Sequence, residues 1–540
     1  MMPALAQIRA WNQWGQELKE NLRKVGIVGA GAMGRGIAQV CALAGCSVQL
    51  FDVTEAAVSR AIDAVREDLA RATGKGVLSE PDADVALALI HGIQRLDEMK
   101  GCDLVVEAIV ERLDAKQQLF RDMEAIVDET CVLATNTSSL SVTAIAAGCA
   151  HPNRVAGWHF FNPVTRMKVV EVIRAPRTDS WVADALVSLS QRIGHRAIVA
   201  SDSPGFVVNH AGRAFVTEGL KLLAEQAAGH DVLDAILRTC AGFRMGPLEL
   251  LDLTGLDVSV PVMESIHTQY YGDDRYRPVP LARTRLVAGL LGRKAGQGFY
   301  RYDGKRTERE ATQPVSAATA RPKVWWPTQG PGALPETLVE LLNTGTTVAD
   351  IRGADVVFLA PVDRDLSTIA AELGVDASKA IGIDPVFGGP SGITLMTCPA
   401  TAGETVEMAK AMFAVQSIPT FVIADSPGFV APRVVACIVN LACEMAQQGI
   451  ASPVDIDGAV RLGLGYPAGP FEWGDKLGPT RVVSILQGLH ATFGDQRYRP
   501  SPWLVRRARL GLPLSAPDRR DASVATAQSD AGAAEVAATA

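Results

Sequence analysis

The stretch VGIVGAGAMGRGIAQVCALAGCSVQLFDV, Val25 to Val53, sets the fold of the first domain. It opens on an apolar run, passes through Gly29-Ala30-Gly31-Ala32-Met33-Gly34, continues with helical periodicity and closes on a second apolar run ended by Asp52. A strand, a glycine turn, a helix and a second strand in that order make a βαβ unit. Each glycine has its own steric task. Gly29 permits the tight turn out of the strand, Gly31 lets the backbone come close to a pyrophosphate, and Gly34 lets the helix lie against the strand. The free N–H groups of the first helical turn then face the anion. Asp52 is placed to accept a ribose 2′-hydroxyl and to repel a 2′-phosphate, which favours NAD over NADP. A glycine turn serving packing alone is the bland alternative.

Around this stretch lie 540 residues, 48% hydrophobic and 21% charged, with a net charge of −7. That length exceeds what one core supports and predicts several domains. The mildly acidic balance gives no general support to nucleic-acid binding. Nine cysteines are scattered, with no C-x-x-C pair and no Cys/His cluster. Neither a disulfide framework nor a metal site is expected, and a reducing, cytoplasmic location is. Residues 1–23 alternate apolar and charged side chains and read as an amphipathic lead-in, not a signal peptide. No apolar run is long enough to predict a membrane span. The segment from Ser515 to Ala540 is rich in Ala, Ser and Asp and is expected to be a disordered tail.

The α/β pattern continues through GCDLVVEAIVERLDAKQQLF (Gly101 to Phe120) and TCVLATNTSSLSVTAIA (Thr130 to Ala146). Each apolar run stops at polar residues, placing Glu107, Glu111, Asn136 and Ser138 at the carboxyl ends of predicted strands. Ligands bind along that edge of an open doubly wound sheet. A helix cap is the bland account of any one of them. In GWHFFNPVTRMKVVEVI, Gly157 to Ile173, a strand returning from the FFNP turn can bring Glu171 beside His159. A carboxylate fixes the tautomer of a histidine and raises its basicity, which suits removal of an alcohol proton. Taken alone the pair reads as a satisfied core histidine. Beside a nicotinamide it has a role, since an alcohol losing hydride must also lose a proton.

At this point the chain resembles a known family. GAGAMGRG, VVEAIVE, NTSSLS, WHFFNPV-x-x-MKVVEVI, DSPGFVVN, GFRMGPLELLDLTGLD and GRKAGQGFYRY follow one another as in the L-3-hydroxyacyl-CoA dehydrogenases, over roughly residues 24 to 303. The resemblance implies a Rossmann-type domain, an all-helical domain and an acyl-CoA substrate in the cleft between them. It implies His159 as general base, Glu171 as its orienting partner, and Ser138 and Asn209 as hydrogen-bonding partners of the substrate oxygen. NAD contacts are implied at Asp52, Glu111, Lys116, Ser138 and Asn162, beside Gly29, Gly31 and Gly34.

DSPGFV occurs at Asp202 to Val207 and again at Asp425 to Val430, and RYRP at Arg275 to Pro278 and again at Arg497 to Pro500. The second half therefore reads as a reduced Rossmann-like domain followed by a duplicated, degenerate all-α domain. The expected division is a lead-in at 1–23, an NAD-binding domain at 24–201, a helical domain at 202–303, a linker at 304–322, the reduced domain at 323–420, the second helical domain at 421–514 and a tail at 515–540. At the offset of the repeat His159 falls on Gly382, Glu171 on Thr394 and Asn209 on Pro432, and QGPGA stands where a phosphate-binding turn would be. One working site is expected. Trp325 and Trp326 are expected to anchor the linker. No fused hydratase is expected.

This arrangement resembles the long bacterial 3-hydroxyacyl-CoA dehydrogenases, including 3-hydroxyadipyl-CoA enzymes of phenylacetate catabolism and 3-hydroxybutyryl-CoA enzymes of fatty-acid metabolism. The implied activity is NAD-dependent oxidation of (S)-3-hydroxyacyl-CoA to 3-oxoacyl-CoA. Intrachain pairing of the two helical domains is expected, with no nucleic acid or membrane partner; a homo-oligomer stays open. So do two rivals: a dehydrogenase of free hydroxy acids or sugar acids, and an NAD-binding regulator.

Overall fold

The computed structural model describes residues 22–303, the backbone of 306–307, and 321–518. Most of the expected lead-in, most of the linker, and the tail beyond residue 518 lie outside the described residues. The expected edges of these segments shift where packing claims them. Leu22 is buried in the first core and its carbonyl accepts from Arg192. At the other end Ala516 O accepts from Arg507 and Ser515 Oγ donates to Asp475. Among the described residues, no helix is long and apolar enough to cross a membrane.

The first sheet has eight strands in the order β3-β2-β1-β4-β5-β6-β7-β8. They are β1 Lys24–Val28, β2 Ser47–Phe51, β3 Ile90–Gly92, β4 Leu104–Glu107, β5 Val132–Thr135, β6 Val155–Phe160, β7 Val169–Arg174 and β8 Arg196–Ser201. All neighbours pair in parallel except β6 and β7. Continuous apolar runs such as LVV and VLA are what a parallel strand covered on both faces requires. The helix Ala32–Leu43 starts directly after Gly31 and buries Ile37, Val40 and Cys41 on the sheet. It ends before Gly45, whose φ of +78° takes the chain into β2.

A two-stranded ladder, β9 Tyr302–Asp303 with β10 Arg306–Thr307, closes the first half. The second sheet is ordered β12-β11-β13-β14-β15-β16, from β11 Lys323–Trp325, β12 Thr346–Thr347, β13 Val356–Leu359, β14 Ala380–Ile383, β15 Ile393–Met396 and β16 Thr420–Ile423. Trp325 is thus a residue of β11. This sheet repeats the end of the first: an antiparallel pair, β14 and β15, followed by parallel β16. Where the first sheet has β4, the helix Leu113–Ile126 and β5, the second has only β13, which leads to the helix Leu366–Leu373. After QGPGA stands only a four-residue helix, Glu336–Val339.

The antiparallel pair corrects one expectation. In the first copy His159 lies opposite Glu171. In the second, Thr394 holds the place of Glu171, since Thr394 pairs with Phe421 as Glu171 pairs with Ile198. The residue opposite Thr394 is Asp384, whose N–H donates to Thr394 O at 3.1 Å, and not Gly382. A shorter hairpin between β14 and β15 moves the register, which a constant sequence offset cannot register. Asp384 is fully buried, and one of its oxygens and the Thr394 hydroxyl have no hydrogen-bond partner. Burial pushes its carboxyl up to about 6, against two N–H bonds from Val386 and Phe387 that favour the charge. The raised value means that the stabilising protonated form is complete below pH 4 and is lost as pH rises through 6. At pH 8 the buried charge costs about 3 kcal/mol. Asp384→Asn should therefore unfold at higher denaturant at pH 8, with the gain gone by pH 4, as a pH series of unfolding curves would record.

The two helical units share one continuous core, and two further clusters fill the outer faces of the sheets. The helix Arg213–Ala224 packs on Ala431–Gln447. Phe243 from the first unit stacks on Phe215 and meets Tyr466 and Trp473 of the second, each ring pair 4.5–5.1 Å apart. The contacts are reciprocal: Ser201 N–H donates to Ile450 O at 2.9 Å, and Ala424 N–H to Ala227 O at 2.8 Å. A local two-fold axis therefore runs between the helical units, the isologous geometry of a dimer inside one chain.

Candidate active site

At the end of β1 the chain turns through Gly29, with φ +109°, so closely that a Cβ there would lie 2.4 Å from the Ala108 carbonyl oxygen. A Cβ on Gly34 would lie 1.8 Å from the Gly29 oxygen, so this glycine packs the helix on the turn itself as well as near the strand. Gly31 differs: a Cβ there would meet nothing within 4 Å. Asp52, at the end of β2, is held by Ala30 N–H at 2.9 Å. A groove of about 350 Å³ runs past Ala30, Gly31, Arg35, Asp52 and Arg60. A helix N-terminus lined by small residues beside a fixed carboxylate fits a dinucleotide: N–H groups for the phosphates, an acceptor for a ribose hydroxyl. Gly31→Ala should leave the melting midpoint unchanged and raise KM for NAD about tenfold, since the new methyl enters only the space a phosphate needs. Steady-state kinetics beside a melting curve would check this.

The next strand ends supply a polar cluster. Glu107 and Lys116 are each about 1% exposed and ion-paired, and Glu107 also accepts from Thr135 Oγ1 and Ile109 N–H. Glu111 accepts from Thr137 Oγ1, from the Ser138 and Ser139 N–H groups and from Ser139 Oγ, at 2.6–3.1 Å. Lys116 lies 3.2 Å from its other oxygen. Burial opposes the charge on Glu111, but the Thr137 hydrogen bond and the Lys116 ammonium outweigh it and hold the carboxyl below its usual range. Ionised Glu111 thus clamps the NTSS loop. The Lys116 side chain is about 1% exposed, its ammonium drawn in between the carboxylates of Glu107 and Glu111.

His159 and Glu171 face each other across β6 and β7, with Nδ1 of the imidazole 2.5 Å from Oε2 of the carboxylate. Both are buried, and the imidazole packs between Phe161 and Phe206 at 4.5 and 5.7 Å. Nδ1–H donates to the carboxylate, so Nε2 is the nitrogen left to accept a proton. The other oxygen, Oε1, accepts from Val207 N–H at 2.9 Å and Val208 N–H at 2.8 Å. Every lone pair that would let Glu171 rotate is thereby committed.

Those two N–H groups close the DSPGFV turn, Val207 being its last residue and Val208 the one after it, and within the turn Gly205 and Phe206 both have positive φ. Its first residue, Asp202, caps the helix Val142–Ala146 through Thr143 N–H at 2.7 Å and Ser141 Oγ at 2.7 Å. One hexapeptide therefore ties the NTSS loop, β7 and the first helical unit together. It also presents Asn209, half-buried, on the short helix Val208–Ala211. Ser138 and Asn162 are exposed at the ends of β5 and β6. The copy at Asp425 keeps only the cap: Asp425 accepts from Leu366 N–H and Ser367 N–H at 2.6 and 3.0 Å. There the cleft is shut. Gly488, in the helix Pro479–Phe493, lies so close to β13's following loop that a Cβ would stand 1.8 Å from Asp363 O. The sequence showed DSPGFV as a repeat but not as a donor to Glu171; its presence in both halves was the available signal.

Comparison with known proteins agrees with this geometry. A model of the 3-hydroxyacyl-CoA dehydrogenase NAD-binding domain matches residues 24–203, and one of the 3-hydroxyacyl-CoA dehydrogenase C-terminal domain matches twice, at 205–302 and 428–515. The chain is 35% identical to a 3-hydroxyadipyl-CoA dehydrogenase of Escherichia coli K12, over 91% of this chain and 98% of that one. A crystal structure of 3-hydroxybutyryl-CoA dehydrogenase from Escherichia coli K12 superposes with a TM-score of 0.81 at 34% identity, covering 91% of this chain and 99% of that one. The structure of (S)-3-hydroxybutyryl-CoA dehydrogenase from Ralstonia eutropha is 40% identical, with a TM-score of 0.51, and covers 53% of this chain and all of its own.

Proposed function

This chain belongs to the 3-hydroxyacyl-CoA dehydrogenase family, and on that premise we propose that His159, held by Glu171, is the base that takes the 3-hydroxyl proton of its substrate. The enzyme is an NAD-dependent oxidoreductase acting on 3-hydroxyacyl-CoA. The cofactor, when bound, accepts the hydride from C3. As that hydride leaves, the hydroxyl proton passes to Nε2 of His159 and the C3–O bond becomes a carbonyl; in reduction the imidazolium returns the proton. The negative Glu171 stabilises the imidazolium and fixes the tautomer that can accept. Ser138 and Asn209 hydrogen-bond the substrate oxygen and align it for the transfer. Asp52 binds a ribose of the cofactor, Asn162 flanks it, and Glu111 sets the NTSS loop. The observation that carries the assignment is the buried His159–Glu171 pair locked by the Val207 and Val208 N–H groups at the end of the DSPGFV turn.

Four folded units are proposed, at 24–201, 202–303, 323–420 and 421–514, with catalysis confined to the first two. The preferred substrate is taken to be (S)-3-hydroxyadipyl-CoA, the substrate in the name of one relative that matches both halves of the chain, with 3-hydroxybutyryl-CoA, in the name of another, as the second reading. NADH formation measured with 3-hydroxyadipyl-, 3-hydroxybutyryl- and longer-chain 3-hydroxyacyl-CoA should give the largest kcat/KM for the first. A larger value for 3-hydroxybutyryl-CoA would replace that substrate assignment, and turnover of free 3-hydroxy acids alone would overturn the thioester.

A further inference from the structure

The RYRP motif is repeated but plays no part in the proposed chemistry. Its two copies meet on the local two-fold axis, where each reaches into the other. Arg275 Nη2 donates to Arg499 O at 3.3 Å and Arg497 Nη2 donates to Arg277 O at 2.5 Å. Arg499 pairs with Asp273 at 2.6 Å and Arg277 with Asp495 at 3.0 Å.

An enclosed cavity of about 20 Å³ lies between them, bounded by Arg275, Arg497, Thr217, Asn440, Glu218 and Cys437. Arg275 and Arg497 are only 7% and 6% exposed. On both guanidinium groups Nε and Nη1 are buried without a hydrogen-bond partner. Two buried cations thus line one small cavity with guanidinium nitrogens that no acceptor takes, and leaving such groups unmet is costly. Glu218 also lines the cavity, and its Oε1 accepts from Arg433 Nε at 2.6 Å and Tyr498 OH at 2.8 Å. Glu444 approaches Arg275 only from the Nη2 side, at 3.5 Å, and Asp495 stands 4.0 Å from Arg497 Nε.

The volume admits a single water-sized or halide-sized occupant. A water offers two lone pairs and must then place two protons of its own. A halide needs no donor of its own to be satisfied, can accept from an N–H of each guanidinium, and adds negative charge between two desolvated cations. We propose that a monovalent anion of chloride size binds on the local two-fold axis, between Arg275 and Arg497, and fastens the two helical units.

The full chain crystallised with bromide replacing chloride should show an anomalous peak between the two guanidinium groups. In sodium chloride or bromide, against sodium gluconate at equal ionic strength, the melting midpoint should rise saturably by about 2 °C. Arg497→Gln and Arg275→Gln should each abolish that rise. Density for a water with no anomalous scatterer overturns the proposal without recourse to any variant, and so does a midpoint that follows ionic strength alone in all three salts.

Discussion

Glu171→Gln should lower kcat by about 10³-fold while leaving KM for NAD within a factor of two. The carboxylate accepts three hydrogen bonds, from His159 Nδ1–H, Val207 N–H and Val208 N–H. A glutamine has one oxygen and must turn its NH2 either to the two backbone donors or to the imidazole. The backbone cannot yield, because the DSPGFV turn is fixed by the Asp202 cap. The NH2 therefore faces Nδ1, which must become the acceptor, and the ring proton moves to Nε2. An imidazole carrying a proton on Nε2 cannot take one there, and the general-base contribution of about 10² to 10⁴ is forfeited. His159→Gln should lose as much, by removing the base outright. Nitrogen NMR of the imidazole separates Glu171→Gln from simple unfolding, since that variant should show the proton on Nε2, and a melting curve does so for His159→Gln. Turnover within tenfold of the parent in either variant would remove this pair from the mechanism.

The second large effect is expected at the contact between the helical units. Arg433 is completely buried, bonded to Glu218, which is about 1% exposed, to Tyr498 OH, and to the half-buried Glu225. Coulombic pull from Glu218, Tyr498 and Glu225 outweighs desolvation and keeps the guanidinium charged, its pKa well above the usual value. Breaking such a group by deleting one member leaves an unanswered charge in the core, at about 3 to 5 kcal/mol. Arg433→Met and Glu218→Met should each lower stability by that amount in urea unfolding. The double variant should recover most of it, because two apolar side chains of similar size leave no buried charge behind. Single variants within 1 kcal/mol of the parent would show that the network carries little of the interface.

The position of Arg433 also explains why the two copies of DSPGFV diverge after the sixth residue. In the first half the residue four beyond Phe206 is His210, whose Nε2 meets Tyr276 OH at 2.9 Å. In the second half the residue four beyond Phe429 is Arg433, which meets Tyr498, the tyrosine of the other RYRP. The second copy turned this contact into an ion-pair network across the axis. It gave up the contact to Glu171's counterpart, because Thr394 offers no carboxylate.

The amino-acid sequence by itself determined the βαβ unit with its three glycines, the pairing of His159 with Glu171 and the duplication. These depend on short-range causes: which φ a glycine permits, the period-two alternation of a strand, and the chemistry of residues a few positions apart. Only the tertiary structure decided that Asp384 and not Gly382 stands where His159 does, that Lys116 is buried between two carboxylates, that Val207 and Val208 lock Glu171, and that two RYRP motifs meet around a cavity. Hairpin length sets register only when strands pair, and a lysine turns inward only when folding brings carboxylates around it. Donors and acceptors hundreds of residues apart become partners through the packing of whole units, and no local pattern records the axis on which they meet.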